Sequence, residues 1–101
     1  MAIIYHITTK KEWQASMAAG QYETSSLKEE GYIHCCEENQ IGDVLKRYFT
    51  GKANLVKLVI DTEKITSPLI YDWSPTIEAT FPHIYGPINT SAVTEVVPVK
   101  A

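Results

Sequence analysis

Leu55-Val56-Lys57-Leu58-Val59-Ile60-Asp61 is an almost unbroken apolar run of strand length, and its reading decides the fold. Branched aliphatic side chains without helical spacing predict a β-strand. A strand this apolar along its whole length is expected at the centre of a sheet, covered on both faces. It anchors the core, and the flanking segments are read against it.

Toward the N-terminus, Ile41, Val44, Leu45 and Tyr48 recur at helical intervals within 38–49, with Gly51 closing the helix and Glu37, Glu38 and Asp43 near its positive end. Before it, Tyr32-Ile33-His34-Cys35-Cys36 reads as a strand. Alternation puts Ile33 and Cys35 on one face, and Tyr32, His34 and Cys36 on the other. Gln21 to Gly31 is a polar connector with room for a brief strand or helical turn. Thr9 and Glu12 have capping-box spacing and start a short helix whose apolar stripe is Trp13, Met17 and Ala18 and whose end is Gly20. Met1-Ala2-Ile3-Ile4 enters a first strand with no basic leader. In that strand Ile3, Tyr5 and Ile7 alternate with Ile4, His6 and Thr8, so one face packs while His6 and Thr8 share a more polar one.

Toward the C-terminus, Ser67-Pro68 opens the extended piece Leu69-Ile70-Tyr71-Asp72-Trp73. Phe81 to Tyr85 leads into the turn Gly86-Pro87, and Ala92 to Val99 supplies a closing strand. Proline rigidity makes Phe81-Pro82 and Gly86-Pro87 turn-fixing elements. Two early helices followed mostly by strands predict an α+β fold with a mixed or antiparallel sheet. With 101 residues, the chain is expected to be a single domain over 1–101.

An apolar share of 45% and a charged share of 21% are those of a soluble globular protein. No run approaches the ~20 apolar residues of a membrane span, so the cytosol is the expected compartment. The net charge is −3, and the nine basic residues are thinly spread, which argues against a nucleic-acid partner. Arg47 is the sole arginine, so the usual planar fork for phosphates and carboxylates is scarce. Cys35 and Cys36 are adjacent, a poor disulfide pair and no zinc-knuckle spacing, and both are read as reduced. Oligomeric state is left open.

The chemistry is expected at the histidines. All three, His6, His34 and His83, lie in apolar runs free of charged residues. Imidazole titrates near neutrality and can donate, accept or ligate, so these are the candidate catalytic residues. The same placement also suits core histidines bonded to backbone, and Cys35 suits a small core residue. If the first strand and the Tyr32–Cys36 strand lie side by side, His6, Thr8, His34 and Cys36 face one cleft, with His83 completing its wall. Thr8, Cys36 and Tyr85 are the candidate ligand contacts. Tyr5, Tyr32, Tyr48, Tyr85, Trp13 and Trp73 offer stacking surfaces, and Asp72 and Glu78 are the carboxylates nearest His83 in sequence.

Several separated motifs, in order, carry a resemblance. Ile4-Tyr5-His6-Ile7-Thr8, Glu30-Gly31-Tyr32-Ile33-His34-Cys35, Arg47-Tyr48-Phe49-Thr50-Gly51, Leu55–Asp61 and Phe81-Pro82-His83-Ile84-Tyr85-Gly86-Pro87 together resemble the small bacterial family catalogued as domain of unknown function 952. A strand with Tyr-His-x-Thr, then a helix, then a strand with Ile-His is more distantly similar to ADP-ribosyltransferase-like folds, in particular the tRNA 2′-phosphotransferase branch. That likeness implies an NAD or ADP-ribose cleft lined by His6 and His34. Ile7 stands where related sequences often have glycine and Cys36 where serine is common, and Arg47 alone cannot form the arginine set for a 2′-phosphate. The resemblance therefore disfavours 2′-phosphotransfer and leaves NAD or another nucleotide as the possible ligand.

Three classes of function follow. One is a nucleotide-handling protein with a histidine-lined pocket, possible as an enzyme or as a degenerate one. Another is a metal site of three neutral imidazoles with an open water position. The third is a binding module that performs no reaction.

Overall fold

The computed structural model describes residues 2–101; Met1, which opens the leader-free start read from the sequence, lies outside them. The chain forms β1 (Ile3–Thr9), α1 (Lys10–Ala19), β2 (Gln21–Tyr22), α2 (Ser25–Glu30), β3 (Ile33–His34), α3 (Ile41–Tyr48), β4 (Leu55–Asp61), β5 (Leu69–Ser74), β6 (Ala79–Ile84), β7 (Ile88–Asn89) and β8 (Val93–Val99). Strands are ordered β1-β4-β8 in one sheet, β3-β6-β5 in a second and β2-β7 in a small third. Every one of these pairings is antiparallel, so the α+β expectation holds and its sheets are antiparallel.

The decisive run is the central strand of its sheet. Val56, Leu58 and Ile60 of β4 are fully buried, while Lys57 and Val59 on the opposite face are half-buried. One face is fully covered; the other is covered at its ends by the burial of Leu55 and Asp61 and only in part between them. The outer face is shielded in part by the Lys57 ammonium, 5.2 Å from the Tyr5 ring centroid. Ile4, Tyr22, Ile33, Ile84 and Ile88 complete the single core with Trp13 of α1. No helix among the described residues is long and apolar enough to cross a membrane.

The face of β1 that packs is the one carrying the histidine. Ile4, His6 and Thr8 are buried, whereas of the face expected to pack only Ile7 is buried and Ile3 and Tyr5 are half-buried, which largely reverses the assignment made from alternation alone. Polar side chains occupy this interior because each finds a partner there. Tyr5 instead forms a bridge with Cys36, each N–H donating to the other's carbonyl at 2.8 Å. That bridge sets β1 beside the segment carrying β3 and joins the two three-stranded sheets.

At the start of α1 the Thr9 hydroxyl accepts from the Glu12 N–H at 3.2 Å, and Gly20 ends the helix at φ 78°, the left-handed conformation that glycine adopts without steric cost. The expected stripe is only partly right. Trp13 is buried, but Met17 is 62% exposed and Ala18 is exposed as well. The helix instead turns the small Ser16 inward, with its hydroxyl donating to the Glu12 carbonyl at 3.0 Å.

The polar connector holds both β2 and α2, and its Tyr22 is among the most deeply buried side chains. Helical structure over 38–49 is present as a 3₁₀ turn, Glu38–Gln40, followed by α3. Phe49, not Gly51, caps it; Ile41, Val44 and Leu45 are half-buried, and Tyr48 is exposed. Phe81-Pro82 lies within β6 and not in a turn: Pro82 is fully buried, and its carbonyl accepts from the Cys35 N–H at 3.0 Å. Gly86-Pro87 does sit between β6 and β7.

Candidate functional site

A cleft of about 810 Å³ is lined by side chains of β1, β3, α3, β5 and β6. Its centre follows from sheet register. His34 and His83 are cross-strand partners, so their side chains leave the same face of the β3–β6 pair. The ring centroids are 5.0 Å apart, nearly perpendicular at 79°. Tyr32, two residues before His34 and hence on the same face, stacks on His83 at 4.1 Å and meets the edge of His34 at 5.0 Å. Tyr85, two residues after His83, brings its ring within 5.2 Å of Tyr32.

Each of these imidazoles is held by a carboxylate. His83 Nδ1 donates to Asp72 Oδ2 at 2.7 Å, and the same oxygen accepts the Tyr85 hydroxyl proton at 2.6 Å. Those two bonds, Tyr85 first, hold the Asp72 carboxyl below its ordinary range, and the bond to Asp72, followed by desolvation, pushes the Tyr85 phenol up to about 12. His83 Nε2 has no hydrogen-bond partner among the described residues and is not a buried atom. His34 is pinned differently: Nε2 pairs with Glu30 Oε2 at 2.5 Å, its side chain 54% exposed. Gly31, left-handed at φ 88°, caps α2 immediately after Glu30 and allows the chain to turn into β3.

His6 lies beneath this pair. Its Nδ1 donates to the His34 carbonyl at 2.5 Å, and its Nε2 is 2.8 Å from the Tyr22 hydroxyl, which is itself 2.8 Å from Thr8 Oγ1. Burial lowers the His6 pKa to about 4, so at neutral pH the ring carries one proton. A carbonyl only accepts, so that proton is on Nδ1; the one Tyr22 hydroxyl proton lies between His6 Nε2 and Thr8 Oγ1, and Thr8 donates on to Glu12 Oε2 at 3.4 Å. The phenol pKa of Tyr22 is itself raised, chiefly by burial.

The structure thus brings His34 and His83 together as side chains and joins His6 to them through backbone. Tyr85 is at the centre, Thr8 belongs to the buried network, and Cys36 is buried with its thiol pushed up to about 11 by desolvation and then by Glu37. The Cys35 thiol is raised by burial too, and both cysteines are free. Tyr5, Tyr32, Tyr48 and Trp73 border the cleft, whereas Trp13 belongs to the core and is no stacking surface. Glu78 sits in the β5–β6 turn at φ 56°, outside the lining, so Asp72 is the pertinent one of the two expected carboxylates. Sequence reasoning missed Glu30 and Tyr22. Glu30 is four residues before His34, a spacing that could have flagged it; Tyr22 is an aromatic in a polar run, with no such signal. Both His6 nitrogens are engaged, and no group of three His, Cys, Asp or Glu among the described residues is placed to hold a metal ion.

These features define a small antiparallel α+β domain with a cleft walled by imidazoles and tyrosines. The chain belongs to the family described as protein of unknown function DUF952, which matches residues 7–96. It is similar to protein CC0527 from Caulobacter crescentus in three structures. The crystal structure has a TM-score of 0.87 at 33% identity, covering 96% of this chain and 85% of that one. A crystal structure of a methionine double mutant gives 0.86 at the same identity and coverage of 96% and 85%. The solution NMR structure gives 0.83 at 33% identity, covering 99% and 86%. A comparison with curated proteins found no match.

Proposed function

We propose that the cleft binds a nucleotide of the NAD or ADP-ribose type, with His34 and His83 at its polar centre and His6 supporting them from below. The observation that carries this reading is the perpendicular imidazole pair packed against Tyr32, which in turn meets the Tyr85 ring, with each imidazole fixed by its own carboxylate. Planar bases stack on aromatic faces, while ribose hydroxyls need closely placed acceptors and donors. Asp72 and Glu30 supply acceptors, and His83 Nε2 is a further polar atom without a partner among the described residues. The volume lies in the range of small-molecule sites. The likeness of the His6 and His34 segments to an ADP-ribosyltransferase-like cleft adds fold-level support, which by itself determines no activity. Two adjacent buried cysteines without a disulfide suit a cytosolic protein.

The test is an NMR titration of the imidazole resonances with NAD and with ADP-ribose at millimolar concentration. His34 and His83 are expected to shift; unmoved signals overturn the proposal. A second reading, binding without turnover, is favoured by the engagement of Asp72 with two donors, which leaves it less available to stabilise a cationic sugar. Recovery of intact NAD after prolonged incubation supports that reading, and release of nicotinamide removes it.

A further inference from the structure

We infer that the centre of the cleft is a site for a planar organic cation, held against the Tyr32, Tyr85, His34 and His83 rings with Glu30 and Asp72 as its counter-charges. In its biological form this rests on the proposed nucleotide reading, where the cation is the pyridinium ring of oxidised nicotinamide.

Charge decides between cation and anion. The formally charged residues lining the cleft are Glu12, Glu30, Asp72 and Lys52, so carboxylates outnumber ammonium groups, and Arg47 is not among the lining residues. The Lys52 ammonium is already placed 5.5 Å from the Phe49 ring centroid. An anionic group entering beside Asp72 and Glu30 meets like charge with no guanidinium to offset it. A cation meets the reverse. Aromatic faces attract positive charge through their quadrupole within about 6 Å of the centroid; the Tyr85 hydroxyl bonds to Asp72, and Tyr32, whose ring meets that of Tyr85, lies close enough to Glu30 and Asp72 to feel both charges.

The unpartnered nitrogen of His83 sharpens the ligand's chemistry. Asp72 accepts from Nδ1, so Nε2 of this cleft-lining ring is left without a hydrogen-bond partner among the described residues, and it is not a buried atom. A ligand with a polar group next to its cationic ring can use that nitrogen as well as the carboxylates. Nicotinamide carries a carboxamide in that relation to the pyridinium nitrogen.

Calorimetric titration of the full chain with NAD⁺, NADH, the methylnicotinamide cation and neutral nicotinamide tests this. Each cationic member is expected to bind about tenfold more tightly than its neutral-ring counterpart, the scale of a partly desolvated cation–π contact. Glu30→Gln, a change at the surface, is expected to reduce that preference several-fold while Asp72→Asn abolishes most of it; Glu30→Gln keeps the test open should the Asp72 variant fail to fold. Equal binding of NAD⁺ and NADH overturns the cation site and leaves the nucleotide reading standing. Selective binding of methylnicotinamide without either dinucleotide supports the cation site and overturns the nucleotide reading. Absence of binding by all four overturns both.

Discussion

His6 Nδ1 donates to the backbone carbonyl of His34, so a buried ring on β1 fixes the main chain beneath an exposed ring on β3. The two histidines are coupled without their side chains meeting. Removing the His6 ring would leave that carbonyl and the Tyr22 hydroxyl without their partner in the interior.

The titration of His6 makes this coupling visible as a pH dependence. Burial lowers its pKa from 6.5 to about 4, so between those values the unfolded chain takes up a proton that the folded chain refuses. Stability is therefore complete above about pH 6.5, declines as pH falls toward 4 and does not decline further on this account below it. The full span is about 3 kcal/mol. Urea unfolding at pH 7 and pH 4.5 should show the wild type losing most of that amount relative to His6→Gln, and parallel losses in the two proteins would refute the assignment.

Tyr22→Phe removes one oxygen and little volume. It leaves His6 Nε2 and Thr8 Oγ1 without their shared partner in a buried setting. The expected cost is about 1–3 kcal/mol, read as a lower midpoint in chemical denaturation. A variant as stable as the wild type would mean that the network is not needed for folding.

Legibility followed the strength of local patterning. Leu55–Asp61 was readable because an apolar run of that length has few alternatives, and the Thr9 cap because its hydroxyl and Glu12 are adjacent in sequence. The site was half legible: alternation placed Tyr32 and His34 on one face, but the pairing of His34 with His83 depends on a register across 49 residues of sequence. Burial of His6 was misread because alternation separates two faces without saying which is covered. Tyr22 was hidden because a two-residue strand has too little periodicity to register.

The Trp13 and Met17 pair measures one such misreading directly. Both fit the same helical stripe, yet Trp13 is buried and Met17 is 62% exposed. Trp13→Ala is expected to cost about 3–5 kcal/mol, while Met17→Ala stays within about 0.5 kcal/mol of the wild type. Equal costs in thermal or urea unfolding would restore the original stripe and reject the rotation of α1 toward Ser16.

Asp72 and Tyr85 provide a spectroscopic check on the centre of the cleft. The carboxylate accepts the phenolic proton at 2.6 Å and, as the leading cause, pushes the Tyr85 pKa from 10.0 up to about 12. Asp72→Asn removes the negative charge, so phenolate should form at lower pH, with Tyr85 moving back toward 10. Tyr22 and Tyr32 are raised chiefly by burial, which the substitution leaves largely in place. Ultraviolet absorbance titration of the wild type and variant should therefore gain one early phenolate, and Tyr85→Phe in the Asp72→Asn background should remove it. If the double variant retains the early phenolate, the group held by Asp72 is not Tyr85, and the His83 ring would be the sole partner of that carboxylate in solution.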